Sequence, residues 1–160
     1  MRVGASVTLV IVLGFVLVLA SQPAPSDSVH QVHFAPLPPQ SAFSGCGCMF
    51  TARPASAPSG PAILFSSNYE GAARVAWNGA VIQLTADQPD TDCRPSRVGG
   101  RCTLKYRGAD IRVEIKSRAT WVCPAGDASE SCEVVRLSGQ MRGRVGELSE
   151  SVEVSGECGC

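Results

Sequence analysis

The sequence predicts an all-β fold, a small antiparallel barrel or sandwich of about eight or nine strands stapled by disulfides. Three observations carry this. Apolar residues recur at every second position through most of the chain after residue 62. No segment of helical length repeats its apolar residues every three to four positions. The eight cysteines include two Cys-Gly-Cys triplets, Cys46-Gly47-Cys48 and Cys158-Gly159-Cys160. Barrel closure is attractive because it removes exposed sheet edges, and the two triplet-bearing strands are the natural pair to meet.

Residues 1–20 read as a secretory signal peptide: Arg2, an apolar run from Val7 to Ala20, then Ser21-Gln22-Pro23. Val18 and Ala20 place small residues where a signal peptidase reads, so cleavage is expected after Ala20. An uncleaved N-terminal anchor is the competing reading, because the uncharged stretch from Val3 nearly reaches the roughly 20 residues that span a bilayer. No cysteine sits just after the cleavage site to carry a lipid. Residues 21–45 hold five prolines and no periodicity, which predicts a disordered Pro/Ser/Ala-rich tether. Residues 46–160 are then a single β-domain, large enough for one core and small enough to gain from covalent staples.

Within that domain the clearest hairpin is 72–85, where Asn78-Gly79 suits the positive φ of a type I′ turn and sets Val75 opposite Ile82 and Ala73 opposite Leu84. A second hairpin over 101–117 is expected to turn around Gly108-Ala109, pairing Tyr106 with Ile111, Leu104 with Val113 and Cys102 with Ile115. In a third block, Val135, Leu137, Gly139, Met141, Gly143 and Val145 alternate with polar residues and predict one long strand whose glycines permit a bend or bulge. Shorter strands are expected at 46–51, 62–66, 119–123 and 151–158.

The cysteines admit three readings. Residues two apart on a strand share a face, so Cys46 and Cys48, and likewise Cys158 and Cys160, point the same way, together with Phe50, Val152 and Val154. If first and last strands are antiparallel, Cys46 faces Cys160 and Cys48 faces Cys158, within disulfide reach. Cys93 with Cys102 and Cys123 with Cys132 each enclose a turn-like stretch. On this reading the framework is structural, as an even cysteine count in an exported chain suggests. Alternatively, Cys46, Cys48, Cys158 and Cys160 supply four thiolates to one zinc or copper ion. The third reading is a redox disulfide within each triplet, for which inward strand positions lack the exposure such chemistry needs.

Lys+Arg and Asp+Glu each number 14, so no global charge points to nucleic acid, and none is expected as a partner. Both histidines, His30 and His33, lie in the tether, which leaves the domain without a histidine base for a Ser or Cys nucleophile. Asp87, Asp90 and Asp92 cluster without the glycine and closing glutamate of an EF-hand loop. Glu147, Glu150, Glu153 and Glu157 form an acidic flank with no acid–base pairing. No cofactor is expected. One pattern breaks a folding rule: the expected register of the second hairpin sets Lys105 opposite Arg112 and Arg101 opposite Lys116 on its outer face. Opposed like charges are unfavourable by about 0.2–1 kcal/mol. Arg101, Lys105, Arg112 and Lys116 are therefore the candidate binding face.

The residues Cys123-Pro124, Ser131-Cys132-Glu133-Val134 and Gly156-Glu157-Cys158-Gly159-Cys160 resemble a group of small exported bacterial proteins bracketed by Cys-Gly-Cys. That resemblance transfers no activity. The inferred architecture is also similar in outline to the β-barrel inhibitors of C-type lysozyme, at the level of fold alone. The expectation is a non-enzymatic secreted or periplasmic module that binds an acidic envelope component or protein, touching the membrane only if the N-terminal segment stays uncleaved. The alternative is a thiolate metal-binding protein.

Overall fold

The structure, a computed structural model, describes residues 33–53, 62–88, 93–124 and 133–160. The expected signal peptide, His30, Asp90, Asp92 and Cys132 lie outside these residues. Nine strands run β1 (Phe34–Ala35), β2 (Gly47–Ala52), β3 (Ile63–Asn68), β4 (Ala72–Trp77), β5 (Ala80–Ala86), β6 (Arg101–Arg107), β7 (Ile111–Trp121), β8 (Val134–Val145) and β9 (Leu148–Gly159). They pair in the order β1-β4-β3-β2-β9-β8-β7-β6-β5, and β5 also pairs with β4, so eight strands close into an antiparallel barrel with β1 added outside the ring. The choice between barrel and sandwich is settled as a barrel.

An eight-stranded barrel is just wide enough for side chains to fill it. Here Phe50, Phe65, Tyr106, Ile115, Leu137, Met141, Val75, Val113 and Val154 fill the interior, each fully buried. Phe65 sits at the middle of an aromatic run, its ring centroid 6.0 Å from Phe50 and 5.1 Å from Tyr106. The period-two pattern of the sequence is thus the pattern of inside and outside. The Asn78-Gly79 hairpin has the expected register, Val75 with Ile82 and Ala73 with Leu84, and both turn residues adopt positive φ.

The sulfur framework sits at one end of the barrel. Cys48 pairs with Cys158 in the β2–β9 ladder. The Cys46–Cys160 and Cys48–Cys158 disulfides each join Cα atoms 4.1 Å apart, one exposed at the rim and the other buried beneath it. Cys93–Cys102 is also bonded, and Cys123 is disulfide-bonded as well. The bonds run between strands and not within a triplet. In the structure the sulfurs of Cys46, Cys48, Cys158 and Cys160 are thus paired with one another, the arrangement expected of the structural reading.

The opposite end departs from expectation. Residues 33–45, expected to belong to a disordered tether, are built onto the barrel. β3 pairs with β4 only over residues 73–75 of β4, and β1 takes up the same edge where β3 leaves it, setting Phe34 opposite Trp77 and Ala35 opposite Ala76. Glu150 accepts a hydrogen bond from the Phe34 amide, and Leu37 donates to the Ile63 carbonyl at 2.7 Å. The Phe34 ring meets Trp77 edge-on at 4.8 Å over Gly143, where a Cβ would lie 2.6 Å from Trp77 Cη2 and 2.8 Å from Phe34 Cζ. Further along, Phe43 donates its amide to Ser66 Oγ at 2.9 Å, and Arg74 lies over the Phe43 ring. The proline count masked three anchoring apolar residues, Phe34, Leu37 and Phe43. The folded body therefore begins at least as early as His33.

Candidate functional site

The outer face of β6, β7 and β8 gathers most of the basic side chains of the chain. Alternation fixes this. Cys102, Leu104 and Tyr106 point inward on β6, so Arg101, Thr103, Lys105 and Arg107 point out. The same parity exposes Arg112, Lys116 and Arg118 on β7 and Arg136, Arg142 and Arg144 on β8. Arg101, Lys105, Arg112 and Lys116 all lie on this face, as expected.

Their pairing differs from expectation. Arg107 is opposite Arg112, Lys105 opposite Glu114, Thr103 opposite Lys116, and Arg101 opposite Arg118. The hairpin is displaced by two residues because its turn falls at Ala109-Asp110, closed by a 2.9 Å hydrogen bond from the Gly108 amide to the Ile111 carbonyl. Gly108 does not supply a positive φ there. It lets β6 approach β5, since a Cβ on Gly108 would lie 2.6 Å from the Gln83 carbonyl oxygen. An even displacement keeps every side chain on its face. It changes every partner.

The consequence is a face with one carboxylate set among the lysines of its middle and like charges opposed at its ends. Glu114 receives Lys116 at 2.8 Å and Lys105 at 3.8 Å, so the expected repulsion of Lys105 with Arg112 and of Arg101 with Lys116 is absent. Like charges are instead opposed in two other rows. Near the disulfide end, Arg101 faces Arg118, beside Ser138, which accepts a 2.6 Å hydrogen bond from Arg53. Near the hairpin tips, Arg107 faces Arg112, which faces Arg144 across the next pair of strands. These three opposed like pairs cost about 0.2–1 kcal/mol each.

The row at the tips has the sharper chemistry. Arg107, Arg112 and Arg144 line a depression of about 500 Å³ with Gly108, Ala109, Asp110, Ile111 and Gly146. The flanking arginines lean on groups at either side: Arg107 Nε lies 3.5 Å from Asp87, and Arg144 donates to the Gly146 carbonyl at 2.9 Å with Glu147 at 3.8 Å. Arg112, between them, has no ion pair or hydrogen bond among the described residues. Its guanidinium keeps five N–H donors for a ligand. Asp110 is the one carboxylate lining the depression, so the set carries a net positive charge.

Of the three arginines in the row, sequence reasoning placed only Arg112 in the candidate face and left out Arg107 and Arg144. Arg107 was displaced by the turn, and Arg144 could be placed only by knowing that β8 lies beside β7. Of the remaining candidates, Asp87 pairs with Arg107, and the His33 amide and carbonyl both bond Asn78. Glu153 and Glu157 engage Gln140 and Arg136. No known family model, curated protein or solved structure matches this chain.

Proposed function

We propose that this chain is an exported, non-enzymatic β-barrel module that holds an acidic component of the cell envelope against the outer face of β6–β8. The observation that carries the reading is the row Arg107, Arg112, Arg144, in which like charges are aligned and the central guanidinium is unpaired among the described residues. Aligned like charges at the surface of a fold that could have interleaved carboxylates, as it does at Glu114, mark a face selected for a partner rather than for stability. The disulfide framework supports an oxidising compartment, which fits the secretory reading of residues 1–20 and a secreted or periplasmic location. In that compartment the acidic partners on offer are glycans, lipids and proteins rather than nucleic acid.

The test is a salt-titrated pull-down from envelope fractions with the wild type and with Arg107→Glu/Arg112→Glu. Neither side chain supports the core, so the variant folds. The wild type is retained at low ionic strength and released as salt screens the contact over about 8–10 Å. The variant is not retained. Equal retention of both proteins at every salt concentration would reduce this face to solvated surface.

A further inference from the structure

We infer that the depression between the hairpin tips is a phosphate subsite, in which Arg107, Arg112 and Arg144 together clamp one phosphate group. This rests on the anionic-partner reading above and narrows it to a ligand class. All three side chains of the row are arginine, whose planar fork meets carboxylate and phosphate oxygens bidentately, whereas the two lysines of the face lie lower down and are held by Glu114. Geometry and charge then favour phosphate over carboxylate. The three guanidiniums stem from directly opposed positions on adjacent strands, so one ligand must offer acceptors in three directions. A phosphomonoester has three outward oxygens and a charge of about −1.5 to −2, where a carboxylate has two oxygens and a single charge.

The contacts already made leave the needed donors open. Arg107 meets Asp87 through Nε, which leaves its terminal NH2 groups, Arg112 is uncommitted among the described residues, and Arg144, with Nε on the Gly146 carbonyl and one terminal nitrogen near Glu147, keeps its other terminal NH2 group. Asp87 and Glu147 lie 3.5 and 3.8 Å from the outer two guanidiniums, both as solvent-exposed pairs. Asp110 lines the same depression and opposes an anion. Its removal strengthens binding.

The experiment titrates inorganic phosphate, sulfate and acetate, at constant ionic strength, into the 15N-labelled protein while the arginine Nε–Hε resonances are followed. Phosphate shifts the Arg112 resonance saturably, and acetate does not at the same concentration. Arg112→Gln weakens phosphate binding by about tenfold to a hundredfold, the range for losing hydrogen bonds to a charged group, while Lys105→Gln leaves it within twofold. Asp110→Asn tightens it by about two- to fivefold. A second arm uses phosphatidylglycerol vesicles: retention lost in Arg112→Gln assigns the group to a lipid headgroup, and phosphate binding without vesicle retention assigns it to a free or polymer-borne phosphate. Equal shifts with acetate and phosphate, or an Arg112→Gln variant that binds phosphate as the wild type does, overturn the subsite. Salt-sensitive envelope retention without phosphate preference overturns the subsite alone, whereas loss of that retention in the wild type removes the broader reading.

Discussion

Removing the two Cys-Gly-Cys disulfides one at a time and together should be strongly non-additive. Cys46–Cys160 and Cys48–Cys158 span 114 and 110 residues, and both close the same loop through the same pair of strands, β2 and β9. In the chain-entropy treatment a loop of that length contributes about 5 kcal/mol to stability. Once either bond is in place, the other closes a ring of only a few residues and adds about 2 kcal/mol. Cys46→Ala/Cys160→Ala, at the exposed rim, should therefore cost about 2 kcal/mol. Cys48→Ala/Cys158→Ala also removes two sulfurs that are 2% and 0% exposed, which raises its cost to about 3–4 kcal/mol. The quadruple variant loses the long closure as well and should exceed the sum of the two doubles by about 3 kcal/mol. Guanidinium denaturation of the four proteins supplies the cycle. A quadruple variant whose loss equals the sum of the doubles within about 0.5 kcal/mol would refute the idea that the two bonds share one loop.

Phe34→Ala should lower stability by about 2 kcal/mol, from lost burial and the edge-on contact with Trp77, as read by denaturant midpoint; an unchanged midpoint would return residues 33–45 to a tether. Arg112→Gln should raise stability by about 0.4–2 kcal/mol, because it relieves two opposed like pairs at about 0.2–1 kcal/mol each. A midpoint lowered by the same amount would mean that Arg112 makes a stabilising contact.

Much of the architecture was legible because burial imposes a period of two, and that period was intact in β5, β6, β7 and β8. Asn78-Gly79 fixed its hairpin completely because both residues take positive φ. Gly108 looked like a similar signal and was not one: its missing Cβ serves close packing on β5 rather than the turn. Periodicity cannot correct such an error, since a displacement of two residues leaves every apolar residue inside. The face of the candidate site was therefore readable, and its charge partners were not. Residues 33–45 of the tether were misread for a related reason. Five prolines dominate the composition of residues 21–45, while the features that pin the segment, the Trp77 edge of β4 and the Glu150 carboxylate, lie far away along the chain. Glu114 shows the same limit: which lysines it neutralises depends on a register that composition does not contain.

The central claim is that anion binding resides in the arginine row and not in basic charge at large. The most direct measurement compares the affinity of a soluble polyphosphate for the wild type, for Arg107→Gln/Arg112→Gln and for Lys105→Gln/Lys116→Gln, at one ionic strength. Both variants lose the same net charge from the same face, so position and the arginine fork differ while net charge does not. Lys105 and Lys116 already have a carboxylate at 3.8 and 2.8 Å. The arginine variant should lose affinity by about tenfold or more, while the lysine variant stays within about threefold of the wild type. Equal losses in the two variants, or a larger loss in the lysine variant, would contradict the assignment of the site.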